Sequence, residues 1–210
     1  ITSVRLSQEL DMFYPSGLMP TYRHKETGER FFFIHIPRTA GRFLQENIKQ
    51  NGFESEQIIW DTIDGVETSH LHRELYEKHL EVKDIPHISV VRDPLQRYIS
   101  LKSYTVYPKG WFRPSVDYIT DDTHVWHFED GFGDNFSNWL SSILKIKFIV
   151  RELKSNYTYN QLGQKLILEY MDPNYQKNEK TLEDVEYVKD FYKLDYLRWS
   201  RYNPLTPPAE

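Results

Sequence analysis

Two short hydrophobic runs dominate the pattern of apolar and polar positions along the chain. Phe31–Ile36 and His87–Val91 have the length and the aromatic or β-branched content of buried strands. Each run is followed by sequence of helical character, Gly41–Gln50 after the first and a segment that begins near Pro94 after the second. The pattern therefore predicts two units in which a buried strand, a short loop and a helix follow one another.

The start of the second helix carries a capping signal. Asp93 suits the N-cap, Pro94 the first helical position and Gln96 the third, an arrangement that resembles a capping box. We therefore expect this helix to begin at residue 94. A mostly apolar stripe then follows along the helix, formed by Leu95, Tyr98 and Ile99 and broken by Lys102.

Weaker patterns predict the other elements. Prolines and glycines interrupt residues 1–30, which we expect to be irregular, and residues 105–135 look like an irregular insertion rich in aromatic and acidic side chains. The remaining predicted elements are a strand at Gln57–Trp60, helices through 71–80, Phe136–Leu144 and Tyr159–Tyr170, a strand at Lys147–Val150 and a long helix through 182–202. The alternation of strands and helices predicts one α/β domain over residues 1–210, with a central, mostly parallel sheet flanked by helices.

Composition and charge exclude several classes of function. The formal net charge of -5 provides no global basic field, so we expect no nucleic-acid partner. The chain has no cysteine, which excludes disulfides, thiolate catalysis and cysteine-based zinc sites. No run approaches the roughly 18 apolar residues of a membrane span, and no signal peptide is visible. These features favour a cytoplasmic location.

The loop that joins the first strand to its helix has the chemistry of an oxyanion cradle. Unpaired backbone N–H groups and the helix dipole give the start of a helix a partial positive charge. Gly41 allows a ligand to approach the backbone, Thr39 offers a hydroxyl, and Arg38 and Arg42 offer planar forks for phosphate or sulfate oxygens. The alternative interpretation is a tight turn that carries two exposed arginines.

The second strand ends in a similar way. Arg92 follows it directly, and Ser100 lies eight residues further on in the next helix. The carboxyl ends of parallel strands meet at one edge of a sheet, where ligands bind, so one long anionic ligand would contact both loops. The alternative is that Arg92 pairs with Asp93 or another acid and that Ser100 is a helix surface residue.

The two motifs together resemble those of sulfotransferases. The stretch FFFIHIPRTAGRFL resembles the 5′-phosphosulfate loop of the carbohydrate and membrane-associated members, and VVRDPLQRYISLKSY resembles their 3′-phosphate motif. FIVRELKSNY and KNEKTLEDVEYVKDFYKLDYLRW look like later segments of the family, so the resemblance extends over most of residues 31–200. It implies a P-loop-like fold and transfer of a sulfuryl group from 3′-phosphoadenosine-5′-phosphosulfate to an acceptor hydroxyl or amine, without a metal.

The resemblance also implies roles for individual residues. Arg38 takes the place of the family's loop lysine, which contacts the bridging oxygen and the phosphosulfate, and Arg92 and Ser100 take the 3′-phosphate. The rest of the cradle comprises Thr39, Ala40, Gly41, Arg42 and Phe43. Two positions depart from the family, because arginine replaces lysine at 38 and a small hydroxyl residue at 42. Arginine donates hydrogen bonds to a leaving group but is bulkier than lysine and does not deprotonate.

A histidine between the two motifs is the candidate general base. His70 in ETSHLHREL occupies the position that the resemblance assigns to the family's catalytic histidine, and histidine suits the role because its ordinary pKa lies near neutrality. His72, Glu67 and Glu74 are alternative bases. His35 is expected to be structural, and a metal site at His124 and His127 is not expected.

Two other functions compete with sulfuryl transfer. One is a P-loop phosphotransferase or kinase, which the missing Gly-Lys-[Ser/Thr] of a Walker A loop disfavours. The other is a non-catalytic nucleotide-binding protein on a sulfotransferase scaffold. The acceptor is not readable, although aromatic rings in residues 105–135 would suit the wall of a pocket for a carbohydrate, and the acidity of this segment argues against a heavily sulfated polyanion.

Overall fold

A computed structural model describes residues 20–56, 62–102, 110–151 and 182–204, which form an α/β structure. Five strands build one sheet in the spatial order β3-β1-β2-β6-β7, and β4 pairs with β5 in a separate hairpin. The strands are Thr21–His24 (β1), Arg30–Ile34 (β2), Phe53–Ser55 (β3), Thr62–Ile63 (β4), Val66–Glu67 (β5), His87–Val91 (β6) and His124–His127 (β7).

The sheet is mixed, so the prediction of a mostly parallel sheet is wrong. β2, β6 and β7 run parallel to one another, whereas β1 is antiparallel to both β2 and β3. The short turn that joins β1 to β2, in which Gly28 has a φ of 77°, requires an antiparallel hairpin because a parallel crossover needs a much longer connection.

Two segments expected to be irregular contribute strands to the sheet. β1 lies within residues 1–30, and β7 lies within residues 105–135 and forms the edge of the sheet beside β6. β7 is only four residues long, HVWH, and all four side chains are at least partly exposed. It therefore lacks the continuous apolar run that identified β2 and β6.

Six helices and three short 3₁₀ turns complete the described structure. The helices are Gly41–Gln50 (α1), Arg73–His79 (α2), Pro94–Lys102 (α3), Asp134–Leu144 (α4), Leu182–Phe191 (α5) and Lys193–Arg198 (α6), and the turns are Thr68–His70, Ser115–Asp117 and Phe128–Asp130. The bounds predicted for α1 are confirmed. The cap predicted for α3 is also confirmed, because Asp93 Oδ1 accepts the backbone N–H of Gln96 at 2.8 Å.

Two of the other predicted elements are wrong. Residues 147–150 form no strand in the described structure, and N–H groups in this stretch bond to side chains instead, as Phe148 does to Ser141 Oγ (2.8 Å) and Ile149 to Asn51 Oδ1 (2.8 Å). The long terminal helix is divided into α5 and α6 at Tyr192, whose ψ of 22° departs from helical geometry. The strand predicted at 57–60 and the helix predicted at 159–170 lie outside the described residues.

The core lies on both faces of the sheet. Successive side chains of a strand point to opposite faces, so Phe31 and Phe33 pack in one cluster while Phe32 and Ile34 pack in another. The first cluster includes residues of α1 and α4, and the second includes residues of α2. Within the described residues, no helix is both long and apolar enough to cross a membrane. The cytoplasmic location stays a prediction.

Asp195 in α6 joins the C-terminal helices to the segment that follows α3. Its carboxylate is fully buried and accepts the backbone N–H groups of Ser115 (2.8 Å) and Val116 (2.9 Å). Burial raises the pKa of Asp195, which these hydrogen bonds partly offset. The carboxylate therefore stabilises the start of the 3₁₀ turn at Ser115–Asp117.

We expect Asp195→Ala to lower the free energy of unfolding by about 2–4 kcal/mol, because two buried N–H groups lose their acceptor. Asp190→Ala, at an exposed position of α5, is the matched control and should change the free energy by less than about 0.5 kcal/mol. Urea unfolding followed by circular dichroism measures both. Equal stabilities of the two variants would contradict this role of Asp195.

Candidate functional site

The loop between β2 and α1 has an unusual backbone. Arg38 (φ 69°) and Ala40 (φ 68°) both adopt the left-handed conformation, which is unfavourable for residues other than glycine. Such conformations concentrate at functional sites. Ala40 is the N-cap of α1 and provides no side-chain cap, and no acidic residue lies in the first helical turn. The positive end of the helix dipole is therefore not neutralised by an acidic side chain in its own first turn.

Thr39 and Gly41 have structural roles in this loop. Thr39 is fully buried and donates its hydroxyl proton to the carbonyl oxygen of Ile36 at 2.7 Å, so in this conformation that proton closes the turn and does not face a ligand. A Cβ atom placed on Gly41 would lie 1.7 Å from His35 Nε2. The absence of a side chain at Gly41 therefore makes room for the ring of His35.

The structure brings the two predicted anion motifs together. Arg38 Nε donates a hydrogen bond to Ser100 Oγ at 2.8 Å, and Arg92 Nη1 donates to the carbonyl oxygen of Arg38 at 3.2 Å. This contact follows from the parallel pairing of β2 with β6, because both loops leave the carboxyl edge of adjacent strands. Three of the predicted site residues, Arg38, Arg92 and Ser100, thus form one cluster.

Arg92 lies in an environment that disfavours its own charge. Its guanidinium carbon lies 4.4 Å from the centroid of the Phe128 ring. Burial lowers the pKa of Arg92, and the nearby charge of Arg38 lowers it further. The charges of Glu129 and Asp93 offset part of this lowering, and the carboxylate of Asp93 also caps α3. An incoming anion would offset the repulsion between the two arginines.

Arg97 is a site residue that sequence reasoning missed. It is fully buried, and its Nε donates to the carbonyl oxygen of Pro37 at 3.0 Å while its Nη2 donates to that of Trp111 at 2.8 Å. A buried guanidinium thus ties α3 to the first loop. The sequence contains one signal that Arg97 is buried. Arg97 lies three residues after Pro94 and four before Leu101, and both of these residues lie on the buried side of α3.

His70 lies in a compact polar cluster next to this loop. Its Nδ1 is 2.9 Å from the carbonyl oxygen of His35, and its Nε2 is 3.7 Å from Glu67 Oε2. Trp111 Nε1 donates to the same carboxylate oxygen at 3.0 Å, and the rings of His35 and His70 are 4.3 Å apart. Burial lowers the pKa of His70, which Glu67 and the bond to His35 partly offset, while Arg97 lowers it.

The other histidines have different surroundings. His72 is the N-cap residue of α2, and its ring lies 6.5 Å from that of Tyr118. His127 Nδ1 is 2.7 Å from the hydroxyl of Tyr202, while His124 is exposed. Across the described ranges, no group of three or more metal-ligating acidic or histidine side chains is assembled. His70 therefore lies next to the first loop through its contact with the carbonyl oxygen of His35.

Comparison with known proteins returned no match for this chain among protein-family models, curated proteins or solved structures.

We expect Gly41→Ala to lower the free energy of unfolding by about 1–3 kcal/mol, because the added methyl group overlaps the ring of His35. In a His35→Ala background the same substitution should cost much less, since the space is then empty. Thermal or urea unfolding of the two single variants and the double variant forms a complete cycle. Strictly additive effects would show that the ring of His35 does not require the glycine.

Proposed function

We propose that the chain is a sulfotransferase, which transfers a sulfuryl group from 3′-phosphoadenosine-5′-phosphosulfate to an acceptor hydroxyl or amine, with carbohydrates among the candidate acceptors. The observation that carries the proposal is the hydrogen bond between Arg38 and Ser100. It joins the loop that resembles the phosphosulfate motif to the helix that resembles the 3′-phosphate motif. The sulfotransferase-like, P-loop-like fold is part of the same proposal.

The proximity of the two motifs suits a donor with anionic groups on both sides of one ribose. In the proposed complex the 5′-phosphosulfate lies at the start of α1 beside Arg38, and the 3′-phosphate lies against Arg92 and Ser100. Charge-assisted hydrogen bonds from guanidinium groups are the strong ones in such sites. The fixed positive end of α1 adds to them.

In the proposed reaction the acceptor atom attacks sulfur while the bond from sulfur to the bridging oxygen breaks. The leaving phosphate gains negative charge during this step, and a cation at Arg38 then stabilises the transition state more than the bound donor. The acceptor must lose a proton, and the proposed recipient is His70 Nε2. Burial lowers the pKa of His70, which favours the neutral imidazole that can accept that proton.

A non-catalytic nucleotide-binding protein is the second candidate function. It is favoured by the burial of His70, only 6% of which is exposed, because an acceptor must reach Nε2 past its neighbours. Incubation with the labelled sulfate donor, and separately with ATP, each with and without magnesium, separates this candidate from a sulfotransferase and from a phosphotransferase. A sulfotransferase of the proposed kind turns over the sulfate donor without magnesium.

We expect the chain to bind 3′-phosphoadenosine-5′-phosphate much more tightly than AMP, because only the former carries the 3′-phosphate proposed for Arg92 and Ser100. Arg92→Ala should remove about 1.5–3 kcal/mol of that preference, or roughly 10- to 150-fold in Kd. Arg73→Ala, an exposed arginine on α2, is the control. Calorimetry measures the six affinities of the three proteins for the two nucleotides, and equal affinity of the unmodified protein for the two nucleotides would overturn the proposed function.

We expect Arg38→Ala to reduce kcat more than it weakens binding of the product nucleotide, because the charge on the leaving phosphate develops as the bond breaks. Arg38→Lys should restore most of the turnover, since it keeps the cation and places the family's usual residue there. Steady-state kinetics with labelled donor and calorimetry separate the two effects. A rise in KM at constant kcat would mean that Arg38 only binds the donor.

A further inference from the structure

The tautomer of His70 follows from its partners. A carbonyl oxygen accepts hydrogen bonds and never donates them, so the contact of Nδ1 with the His35 carbonyl oxygen at 2.9 Å places a proton on Nδ1. In the neutral imidazole Nε2 therefore carries the lone pair. The carbonyl oxygen of His35, directly after β2, thus fixes His70 Nε2 as a proton acceptor.

Glu67 supplies a second proton acceptor beside the first. Its Oε2 accepts the N–H of Trp111 at 3.0 Å, and a carboxylate oxygen has capacity for a further hydrogen bond. Oε2 and His70 Nε2 are 3.7 Å apart, which is too long for a direct hydrogen bond. One donor atom about 2.8 Å from each acceptor would be within hydrogen-bond distance of both.

The number of hydrogens on that donor atom distinguishes the two acceptor classes. An ammonium or amine nitrogen donates to both acceptors at once, whereas a hydroxyl has one hydrogen and satisfies only one of them. Within the proposed sulfotransferase function, on which this inference rests, we propose that the acceptor is an amine and that the product is a sulfamate. Glu67 and His70 together form its recognition site.

The proton balance of the reaction matches the two acceptors. An ammonium first loses one proton to His70 Nε2, which frees the nitrogen lone pair. The nitrogen–sulfur bond then forms as the bond from sulfur to the bridging oxygen of the donor breaks, and the nitrogen loses its second proton to Glu67. Two protons leave the nitrogen on the way from ammonium to sulfamate. Sulfation of a hydroxyl releases only one.

Glu67 and Arg97 act on the imidazole of His70 with opposite charges. Glu67 lies on the same turn, and Arg97 of α3 acts on the imidazole electrostatically from a second element. The rings of His35 and Trp111 cover other sides, the latter 5.5 Å from His70. Glu67 is thus the negative group that would pair with an ammonium, and it is held in place by the N–H of Trp111.

The test compares two sugars that differ only at the reacting position, methyl 2-amino-2-deoxyglucoside and methyl glucoside. Each is incubated at millimolar concentration with the protein and the labelled sulfate donor, and sulfamate is distinguished from sulfate ester by its cleavage with nitrous acid. We expect label in the amino sugar only. Equal or faster labelling of methyl glucoside would overturn the amine inference and leave the proposed sulfotransferase function standing.

A binding measurement decides the outcome if neither sugar is turned over. The imidazole resonance of His70 is followed by NMR in the presence of 3′-phosphoadenosine-5′-phosphate while each sugar is added. We expect the amino sugar alone to shift the resonance. The absence of a shift, or equal shifts with both sugars, would overturn the inference.

Variants separate this inference from the proposed function. Glu67→Gln should reduce turnover of the amino sugar, or its effect on the His70 resonance, by roughly tenfold or more, because the paired negative charge is lost. Glu54→Gln, the same change at an exposed position of β3, is the matched control and should retain both. Unchanged amine recognition in Glu67→Gln would overturn the inference, whereas failure of the unmodified protein to prefer the bisphosphorylated nucleotide over AMP would overturn the proposed function itself.

Discussion

The parallel pairing of β2 with β6 is the constraint on which the candidate site depends. The register that places Phe32 beside His87 and Ile34 beside Ser89 makes both strands end at the same edge of the sheet. The loops that follow them are about fifty residues apart in the chain and lie together only because of this register. The contact of Arg38 with Ser100 is its direct result. A shift of two residues along the ladder would move the strand ends apart by about 6.6 Å, well beyond the reach of a hydrogen bond.

The edge of the sheet at which β2 and β6 end also contains buried positive charge. Arg97 is fully buried yet reaches two backbone carbonyl oxygens, of Pro37 and Trp111, so its charge is partly solvated by peptide dipoles. Removing a charge from water is costly, and repulsion from neighbouring cations adds to that cost. Arg92 and Arg38 repel each other in the same region. The edge therefore brings the charges of Arg38, Arg92 and Arg97 close together, which is an electrostatic arrangement that favours binding of an anion.

Much of the fold and part of the site follow from local sequence patterns. Both β6 and α1 have the bounds that their hydrophobic runs and helix signals predict, and Asp93 caps α3 as its spacing indicates. β7 was not predicted because its four residues, HVWH, contain no continuous apolar run. The burial of Arg97 was not predicted because arginine side chains are mostly exposed. Only the tertiary structure shows that the carbonyl oxygens of Pro37 and Trp111 accept its hydrogen bonds. Local patterns therefore indicate elements and motifs, and the sheet order and the partners of buried charges depend on long-range contacts.

The contact between Glu67 and His70 changes how their roles as proton acceptors are interpreted. In the sequence they are alternative candidates for one role, because either side chain accepts a proton. In the structure they face each other at 3.7 Å, with the proton on His70 Nδ1 fixed by a carbonyl oxygen and the carboxylate fixed by Trp111. Two acceptors held in this way no longer compete for one proton. Within the proposed sulfotransferase function, the question becomes how many protons the acceptor atom must lose, and that number differs between a hydroxyl and an ammonium.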